Sequence, residues 1–435
     1  MVTQRRGGVP WSDLPSACPD ARLGTAARVD PYWAGMWSMS TSAAWLSRAT
    51  AQRQVDMGLL RAGGRTGLNV TPEQARARIA GNARRRRLMT LAAVGMWRTA
   101  TVQQIAALTG LPSVAGRGSI DRDILWSAGL TEQGVTLSSR RSKLPTLLRP
   151  DPRGQWDELA GMLTFAERLA VTGGQPWRWG SQYDRHNVLT TELGLRVAEY
   201  APVATVLGES LAGVDLLLGG TGRSGTGSRS GDMVIVRPDG FKIVVEVTAT
   251  VTTDFRTKVR RWVDVLTARR QADLGVCFVE LAHPDRRDAS TEVHRLLRRT
   301  VTEAAHAGLD AADARVPELV SVARWQEWFP EPGMVEPAFV GLRAWRPTGQ
   351  RGDPWEPVDL VDQSQLRFIP PTAQDRAATE SILANAALLW GTPYWTRAGR
   401  TPPDVNQWLL HQSGLSGLTV APRRVRTQPE ADLRW

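Results

Sequence analysis

Apolar residues recur at helical spacing along three successive segments that begin at Thr71. The segment TPEQARARIAGNARRRRLMTLAAVGMWRTA opens with Thr-Pro-Glu, which is typical of a helix N-terminus. TVQQIAALTG follows, with Thr101 placed to cap a short helix and Gly110 placed to end it. SIDRDILWSAGL predicts a third helix, and LTEQGVTLSSRRSKLPTLLRP predicts a β-hairpin. This order is that of a winged helix-turn-helix, which we expect over residues 81–150.

Beyond residue 150, short apolar strands join the helical pattern. WDELAGMLTFAERLAVTGG predicts a helical connector over residues 151–180. A helix (DRHNVLTTELGLRVAEY), a strand (APVATVLGES) and two strands around a Pro-Asp-Gly turn (GDMVIVRPDGFKIVVEVTAT) come next. A basic helix (TTDFRTKVRRWVDVLTARRQA) and a buried strand (LGVCFVEL) complete the series. The α-β-β-β-α-β order predicts a mixed α/β, or α+β, domain with a small central sheet over residues 181–330.

The two ends of the chain carry weaker patterns. Residues 1–80 are rich in Gly, Ser, Arg and Pro, and we expect a basic, partly ordered N-terminal arm with a helix between 41 and 60. Residues 331–435 alternate Trp- and Pro-rich segments with two helical patterns, DRAATESILANAALLWG and PDVNQWLLHQSGL. That region is predicted to be an irregular accessory domain.

Length and cysteine content restrict the class of protein. The chain has 435 residues, and no run approaches the length of a membrane-spanning helix. The first twenty residues lack the apolar region of a secretory signal. The two cysteines, Cys18 and Cys277, exclude a zinc ribbon and argue against a disulfide framework. We therefore expect a cytoplasmic protein with no membrane partner.

Charge points to a polyanionic partner. The chain has 54 basic and 43 acidic residues, a formal net charge of +11. DNA is the expected partner, although a GC-rich genome that favours arginine would give a similar balance. On the predicted winged helix, the candidate DNA contacts lie at the start of the third helix and on the hairpin, and they are Arg117, Ser119, Arg122, Arg140, Arg141 and Lys143. A three-helix packing unit without DNA contacts is the alternative.

Two carboxylates in the predicted hairpin are candidates for chemistry. Asp232 opens its first strand, and Glu246 interrupts the apolar run IVVEVTATV. Buried carboxylates in such a sheet require a cation or hydrogen-bond donors. Phosphodiester cleavage uses a divalent ion held by carboxylate oxygens, so Mg²⁺ or Mn²⁺ on Asp232 and Glu246 is one interpretation. Carboxylates on the wet face of an antiparallel sheet are the other.

The helix, the Asp-bearing strand, the Glu-bearing strand and the second helix resemble the core of the PD-(D/E)XK nuclease superfamily. The longer pattern, from residue 84 to the ARWQEWF segment, resembles the actinobacterial replication-relaxation family of plasmid and mobile-element proteins. The resemblance implies a DNA-binding protein acting in replication, DNA relaxation or mobilisation. It also implies a nuclease site on Asp232 and Glu246. Glu192 of the first helix is then either a third metal ligand, as in some members of the superfamily, or a solvated helix residue.

The position where the superfamily carries its lysine holds Thr248, which departs from the pattern. The chain has only three lysines, and two of them, Lys242 and Lys258, flank Glu246. The superfamily also places this lysine on the following helix, so the resemblance implies Lys258 as the catalytic lysine, with Lys242 at the far end of the strand as the alternative. Arg256 and Arg260 on that helix are then candidates for phosphate binding.

Several functions remain open on the sequence. The leading hypothesis is a metal-dependent DNA endonuclease delivered by a winged helix. A catalytically inactive, nuclease-fold DNA-binding initiator or accessory factor is the alternative, and an adaptor that binds proteins through the Trp-rich region is a third. Tyr183 is a candidate nucleophile. The sequence leaves open whether the protein forms a homodimer or joins partners of replication and mobilisation.

Overall fold

A computed structural model describes most of the chain. The described residues are 7–38, 40–60, 66–138, 144–152, 154–172, 176–177, 183–214, 217, 230–268, 274–285, 287–307, 315–348, 355–367 and 392–396. Both helical patterns expected in the C-terminal region lie outside these residues.

Thirteen strands run through the described residues. In chain order they are β1 (Val9–Pro10), β2 (Ala43–Leu46), β3 (Ala100–Thr101), β4 (Thr131–Thr136), β5 (Leu147–Pro150), β6 (Thr205–Gly208), β7 (Met233–Val236), β8 (Lys242–Thr248), β9 (Leu274–Glu280), β10 (Val320–Arg324), β11 (Met334–Val335), β12 (Arg343–Pro347) and β13 (Trp355–Asp359).

The α-helices in the same residues are α1 (Arg48–Asp56), α2 (Pro72–Ala80), α3 (Arg84–Trp97), α4 (Val102–Thr109), α5 (Pro112–Ala115), α6 (Ile120–Ser127), α7 (Trp156–Ala160), α8 (Phe165–Thr172), α9 (Asp184–Tyr200), α10 (Thr253–Ala268), α11 (Arg287–Ala307), α12 (Val316–Leu319) and α13 (Trp325–Trp328). None of them combines the length and apolar character needed to span a bilayer.

The largest sheet has seven strands in the order β13-β12-β10-β9-β8-β7-β6. Strands β6, β7 and β8 are antiparallel neighbours, whereas β8, β9 and β10 run parallel. Every residue of β8 and β9 is buried, which agrees with their nearly continuous apolar sequences and with parallel strands at the centre of a sheet. The fold is therefore mixed α+β, as the sequence predicts.

A second sheet joins the N-terminal segment to the hairpin. Its strand order is β2-β4-β5-β3, and β2 pairs antiparallel with β4. The first part of the segment expected to be helical is thus a strand, and the helix begins only after Ser47, whose side chain accepts a hydrogen bond from Thr50 N. Asp184 at the start of α9 holds this strand, because its Oδ2 accepts from Ala43 N and Trp45 Nε1, both at 2.9 Å. The arm is packed into the fold because it completes this sheet.

Local capping explains the helices around residue 100. Thr71 and Thr101 each form a capping box with a glutamine three residues later. Gly110 ends α4 with φ of 76°, a left-handed conformation that favours glycine. The long helix expected after Thr71 is two helices instead, because the chain leaves helical geometry between Gly81 and Arg84.

One continuous hydrophobic core links the helices of residues 84–109 to the seven-stranded sheet. Trp97, at the end of α3, lies against Gly194 of α9 and Gly208 of β6, and a Cβ at either glycine would come within 3 Å of the indole. The segments expected as two domains, 81–150 and 181–330, therefore share buried side chains. Likewise β12 and β13 extend the main sheet past the boundary expected at residue 330, because their backbones pair with β10 and with each other.

Candidate functional site

Two adjacent strands bring Asp232 and Glu246 together. Asp232 immediately precedes β7, and its backbone N–H donates to Val245 O of β8 at 3.0 Å. This pairing continues the antiparallel register in which Met233 lies opposite Val245. The Asp232 side chain turns to the same end of β8, where its Oδ2 accepts from Val247 N at 2.7 Å. The register that the sequence leaves open, extended by one residue beyond the Met233–Val245 pair, thus places Asp232 opposite Glu246.

Helix α10 completes the cluster with a lysine and an indole. Lys258 Nζ lies 3.6 Å from Asp232 Oδ1 and also contacts Glu246 Oε2. Trp262, one helical turn later on the same face, donates from Nε1 to Glu246 Oε1 at 2.6 Å. One ammonium therefore bridges both carboxylates, and the sequence-based expectation that Lys258 reaches them from the following helix agrees with this geometry.

Two further side chains reach the cluster without having been expected there. His186, in the first turn of α9, places Nε2 3.0 Å from Asp232 Oδ1. Glu209, directly after β6, lines the same pocket and lies 3.9 Å from Arg98 Nε. No spacing in the sequence relates either residue to Asp232, since both contacts depend on how α9 and β6 pack against β7. The only feature of the sequence that could have pointed to this contact is a histidine at the start of the helix that precedes the sheet.

The cluster forms one wall of an open pocket of about 630 Å³. Asp232, His186 and Lys258 line the pocket, together with Asp254 and Glu209. Glu246 is fully buried beneath it, whereas the Lys258 side chain is 37% exposed. The three carboxylates of the lining thus face Arg185, Lys258 and His186.

Burial and charge act on the two carboxyl groups in opposite directions. Burial raises the pKa of Glu246 to about 8, and contact with the Lys258 ammonium opposes that rise without cancelling it. Burial would also raise the pKa of Asp232, but the charges of His186 and Lys258 outweigh it and hold the pKa below its usual value. Desolvation lowers the pKa of Lys258, but the charges of Asp232 and Glu246 outweigh it and raise that pKa above its ordinary value.

These shifts predict how Glu246 affects stability as pH changes. Its ordinary pKa is 4.5, so between about 4.5 and 8 the folded chain retains a proton that the unfolded chain has released. The stability contributed by Glu246 is therefore complete below pH 4.5 and is lost as pH rises to about 8. We expect the stability of the wild type relative to Glu246→Gln to fall across this range in urea denaturation. A relative stability that rises with pH would show instead that Lys258 dominates the pKa of Glu246.

The donors around the carboxylates bear on whether the site suits a metal ion. Mg²⁺ and Mn²⁺ need carboxylate oxygens with lone pairs directed at a common point. Here Asp232 and Glu246 accept from Val247, His186 and Trp262, and Lys258 lies at the point between them. Among the described residues no group of three or more His, Cys, Asp or Glu side chains is arranged to hold a metal. In this arrangement the residues do not fit a divalent-cation site.

Glu192, expected as a third metal ligand, lies in a different environment. Its side chain is 1% exposed and forms ion pairs with Arg28 at 2.9 Å and with Arg196 at 3.2 Å. Gln104 Nε2 also donates to it at 3.1 Å. The α-helical turn that carries Glu192 faces the N-terminal segment rather than β7, so Glu192 neutralises buried arginines and does not join Asp232 and Glu246.

The candidate DNA contacts at the start of α6 are only partly accessible. Arg117 is exposed, but Ser119 and Arg122 are buried. Arg122 donates from Nη1 to Val114 O at 3.1 Å, and burial lowers its pKa. Arg122 therefore packs against α5 instead of facing a DNA groove. The three hairpin cations, Arg140, Arg141 and Lys143, lie outside the described residues.

Arg256 and Arg260 lie beside the site and not within it. Both are exposed on α10 and line a groove of about 500 Å³ that also includes residues of α11. Lys258 is on the neighbouring stripe of α10 and faces the Asp232 pocket. The helix thus presents one cation to the carboxylates and two to an adjacent groove.

The remaining candidates fall at separate places. Thr248 lines the pocket, where its Oγ1 donates to Thr250 O at 2.5 Å and supplies no charge. Lys242 is buried at the opposite end of β8. Tyr183 lines the pocket and is exposed, with its ring centroid 6.4 Å from that of His186.

A scan against protein-family models, a search of curated proteins and a search of solved structures each found nothing that matches this chain.

Proposed function

We propose that this chain is a DNA-binding protein built from a winged helix and a nuclease-like α/β unit, of the replication or mobilisation type, in which the nuclease-like centre no longer cleaves DNA. The observation that carries the proposal is the α9-β6-β7-β8-α10-β9 unit with Asp232, Glu246 and Lys258 gathered on it. Three antiparallel strands, a crossover helix and a parallel fourth strand follow the order expected for a PD-(D/E)XK core.

The N-terminal half supports DNA binding through its element order. Helix α3, strand β3, helices α4 to α6 and the β4-β5 hairpin follow one another as in a winged helix, and β3 pairs with β5. The net charge of +11 favours a polyanion. Because Ser119 and Arg122 are buried and Asp121 lies in the first turn of α6, contacts to phosphates are expected from Arg117 and from α10 more than from α6 itself.

The state of the centre favours binding without cleavage. Lys258, the group that would stabilise charge on a reacting phosphate, is held by the two carboxylates. The carboxylate oxygens in turn have donors, and Lys258 holds the point between them that a divalent ion would occupy. Each group needed for phosphodiester cleavage is thus engaged by another member of the cluster.

Metal-dependent DNA cleavage is the second candidate, and one observation favours it. Asp232, Lys258 and His186 face an open pocket, and their exposed parts give the side chains room to rearrange around a substrate. If supercoiled DNA with Mg²⁺ or Mn²⁺ gives nicked or linear product with the wild type but not with Asp232→Ala or Glu246→Ala, cleavage replaces the proposed function.

DNA binding itself is tested by its dependence on salt. We expect log Kd to vary linearly with log salt concentration, and the slope to fall by about 2 in the double variant Arg256→Ala/Arg260→Ala, because two phosphate contacts are lost. Fluorescence anisotropy with labelled duplex DNA measures both slopes. The matched control is Arg295→Ala/Arg299→Ala, which removes the same charge from exposed positions of α11. Binding that does not depend on salt would rule out DNA as the partner.

A further inference from the structure

Lys258 occupies a place fixed by the helix that carries it. Val259 and Trp262 of α10 are buried against the sheet, and Trp262 is anchored to Glu246 Oε1 by a 2.6 Å hydrogen bond. The other oxygen of Glu246 contacts Lys258 Nζ, which also lies 3.6 Å from Asp232 Oδ1. A single helix therefore supplies a hydrogen-bond donor to one oxygen of the buried carboxylate and an ammonium contact to the other.

The electrostatic requirement of the two carboxylates is met within the chain. A buried carboxylate is strongly destabilising unless a cation or several donors accompany it. Glu246 has an ammonium and an indole N–H, and Asp232 has the same ammonium, the Val247 N–H and His186 Nε2. The point where these carboxylate oxygens converge, which suits a divalent ion by charge, is already held by a positive group.

We propose that Lys258 is a built-in cation that takes the place of a divalent metal ion between Asp232 and Glu246. The wild-type centre then does not bind Mg²⁺ or Mn²⁺, and removal of the ammonium creates a divalent-cation site on the same two carboxylates. Repulsion between Lys258 and an incoming cation is the physical barrier, since the two would lie only a few ångströms apart in a poorly screened environment. The inference rests on the nuclease-like centre proposed above.

The test is Mn²⁺ binding by the full chain without DNA, using Lys258→Met, which keeps an unbranched side chain and removes the charge. We expect isothermal titration calorimetry to show at least about tenfold tighter Mn²⁺ binding than in the wild type. Millimolar Mn²⁺ should also raise the Tm of the variant by about 5 °C and leave that of the wild type unchanged. Lys258→Gln, which keeps a donor for Glu246, is the second variant if Lys258→Met does not fold.

Two controls assign the effect to this centre. Arg256→Ala removes the same charge from the same helix outside the pocket and should not gain Mn²⁺ binding. Asp232→Ala added to the lysine variant should abolish the gain. The proposal is overturned if wild type and lysine variants bind Mn²⁺ equally, or if neither lysine variant binds it. Either result leaves the salt-dependent DNA binding untouched, so failure of this inference is distinguishable from failure of the proposed function.

Discussion

Glu192→Ala is expected to lower the free energy of unfolding by about 3–5 kcal/mol, because it removes the carboxylate that two buried guanidinium groups share. Glu192 Oε1 lies 2.9 Å from Arg28 and 3.2 Å from Arg196, and these three side chains are at most 2% exposed. Arg28 keeps hydrogen bonds to Leu23 O and Thr25 Oγ1, but its remaining carboxylate contact, with Glu199, is longer at 3.7 Å. Arg196 keeps its ion pair with Asp30 at 2.8 Å, and Gln104 loses its carboxylate acceptor. The guanidinium groups cannot neutralise by releasing a proton, so the cost falls on the folded state.

Equilibrium denaturation in urea measures this loss directly. Glu303→Ala is the matched control, because Glu303 pairs with Arg299 four residues away but is 63% exposed. We expect the control to change stability by no more than about 0.5 kcal/mol. A loss below about 1 kcal/mol in Glu192→Ala would contradict the buried network. If added Mg²⁺ stabilised the wild type but not Glu192→Ala, Glu192 would be a metal ligand instead.

Trp97→Ala is expected to lower the free energy of unfolding by about 3–5 kcal/mol and to destabilise both halves of the chain. The indole is 2% exposed and fills the space between α3, Gly194 of α9 and Gly208 of β6. Its removal leaves a cavity that Gly194 and Gly208 cannot fill, because neither has a side chain. Since the same core contains residues of α4 and of β7, both elements should lose protection together.

Hydrogen exchange followed by mass spectrometry distinguishes one cooperative unit from two. Peptides from α4 and from β7 should show the same decrease in opening free energy in Trp97→Ala. Trp355→Ala is the control, because Trp355 is only half-buried on the edge strand β13, and it should leave α4 unchanged. A decrease confined to α4 would restore the separate domains expected over residues 81–150 and 181–330.

The cluster at Asp232 shows how a cation that is absent from one strand position can be supplied in space by another element. Thr248 stands where a lysine is expected, and it lies in the pocket without a charge. Lys258 reaches the same carboxylates from α10, the helix that follows β8 in the chain. Whether the ammonium serves a reaction or replaces a metal ion is decided by the Mn²⁺ experiment.

The sequence by itself determined the features that depend on neighbouring residues. Capping of α4 by Thr101 and its end at Gly110 follow from backbone donors and a left-handed turn, which are local. The apolar runs of β8 and β9 similarly indicated buried strands. The candidates Asp232, Glu246 and Lys258 were found because two lie in one hairpin and the third is a scarce residue type on the next helix.

Only the tertiary structure decided which distant side chains meet. Glu192 and His186 lie on one helix, yet α9 directs the first to Arg28 and the second to Asp232. Arg122 looked like a DNA contact in the sequence but is buried against Val114 O. The physical reason is that periodicity specifies which face of an element is apolar, whereas the partner of a charge depends on which elements pack together. That choice is made by long-range packing, and here it set both the buried arginine network and the cation between Asp232 and Glu246.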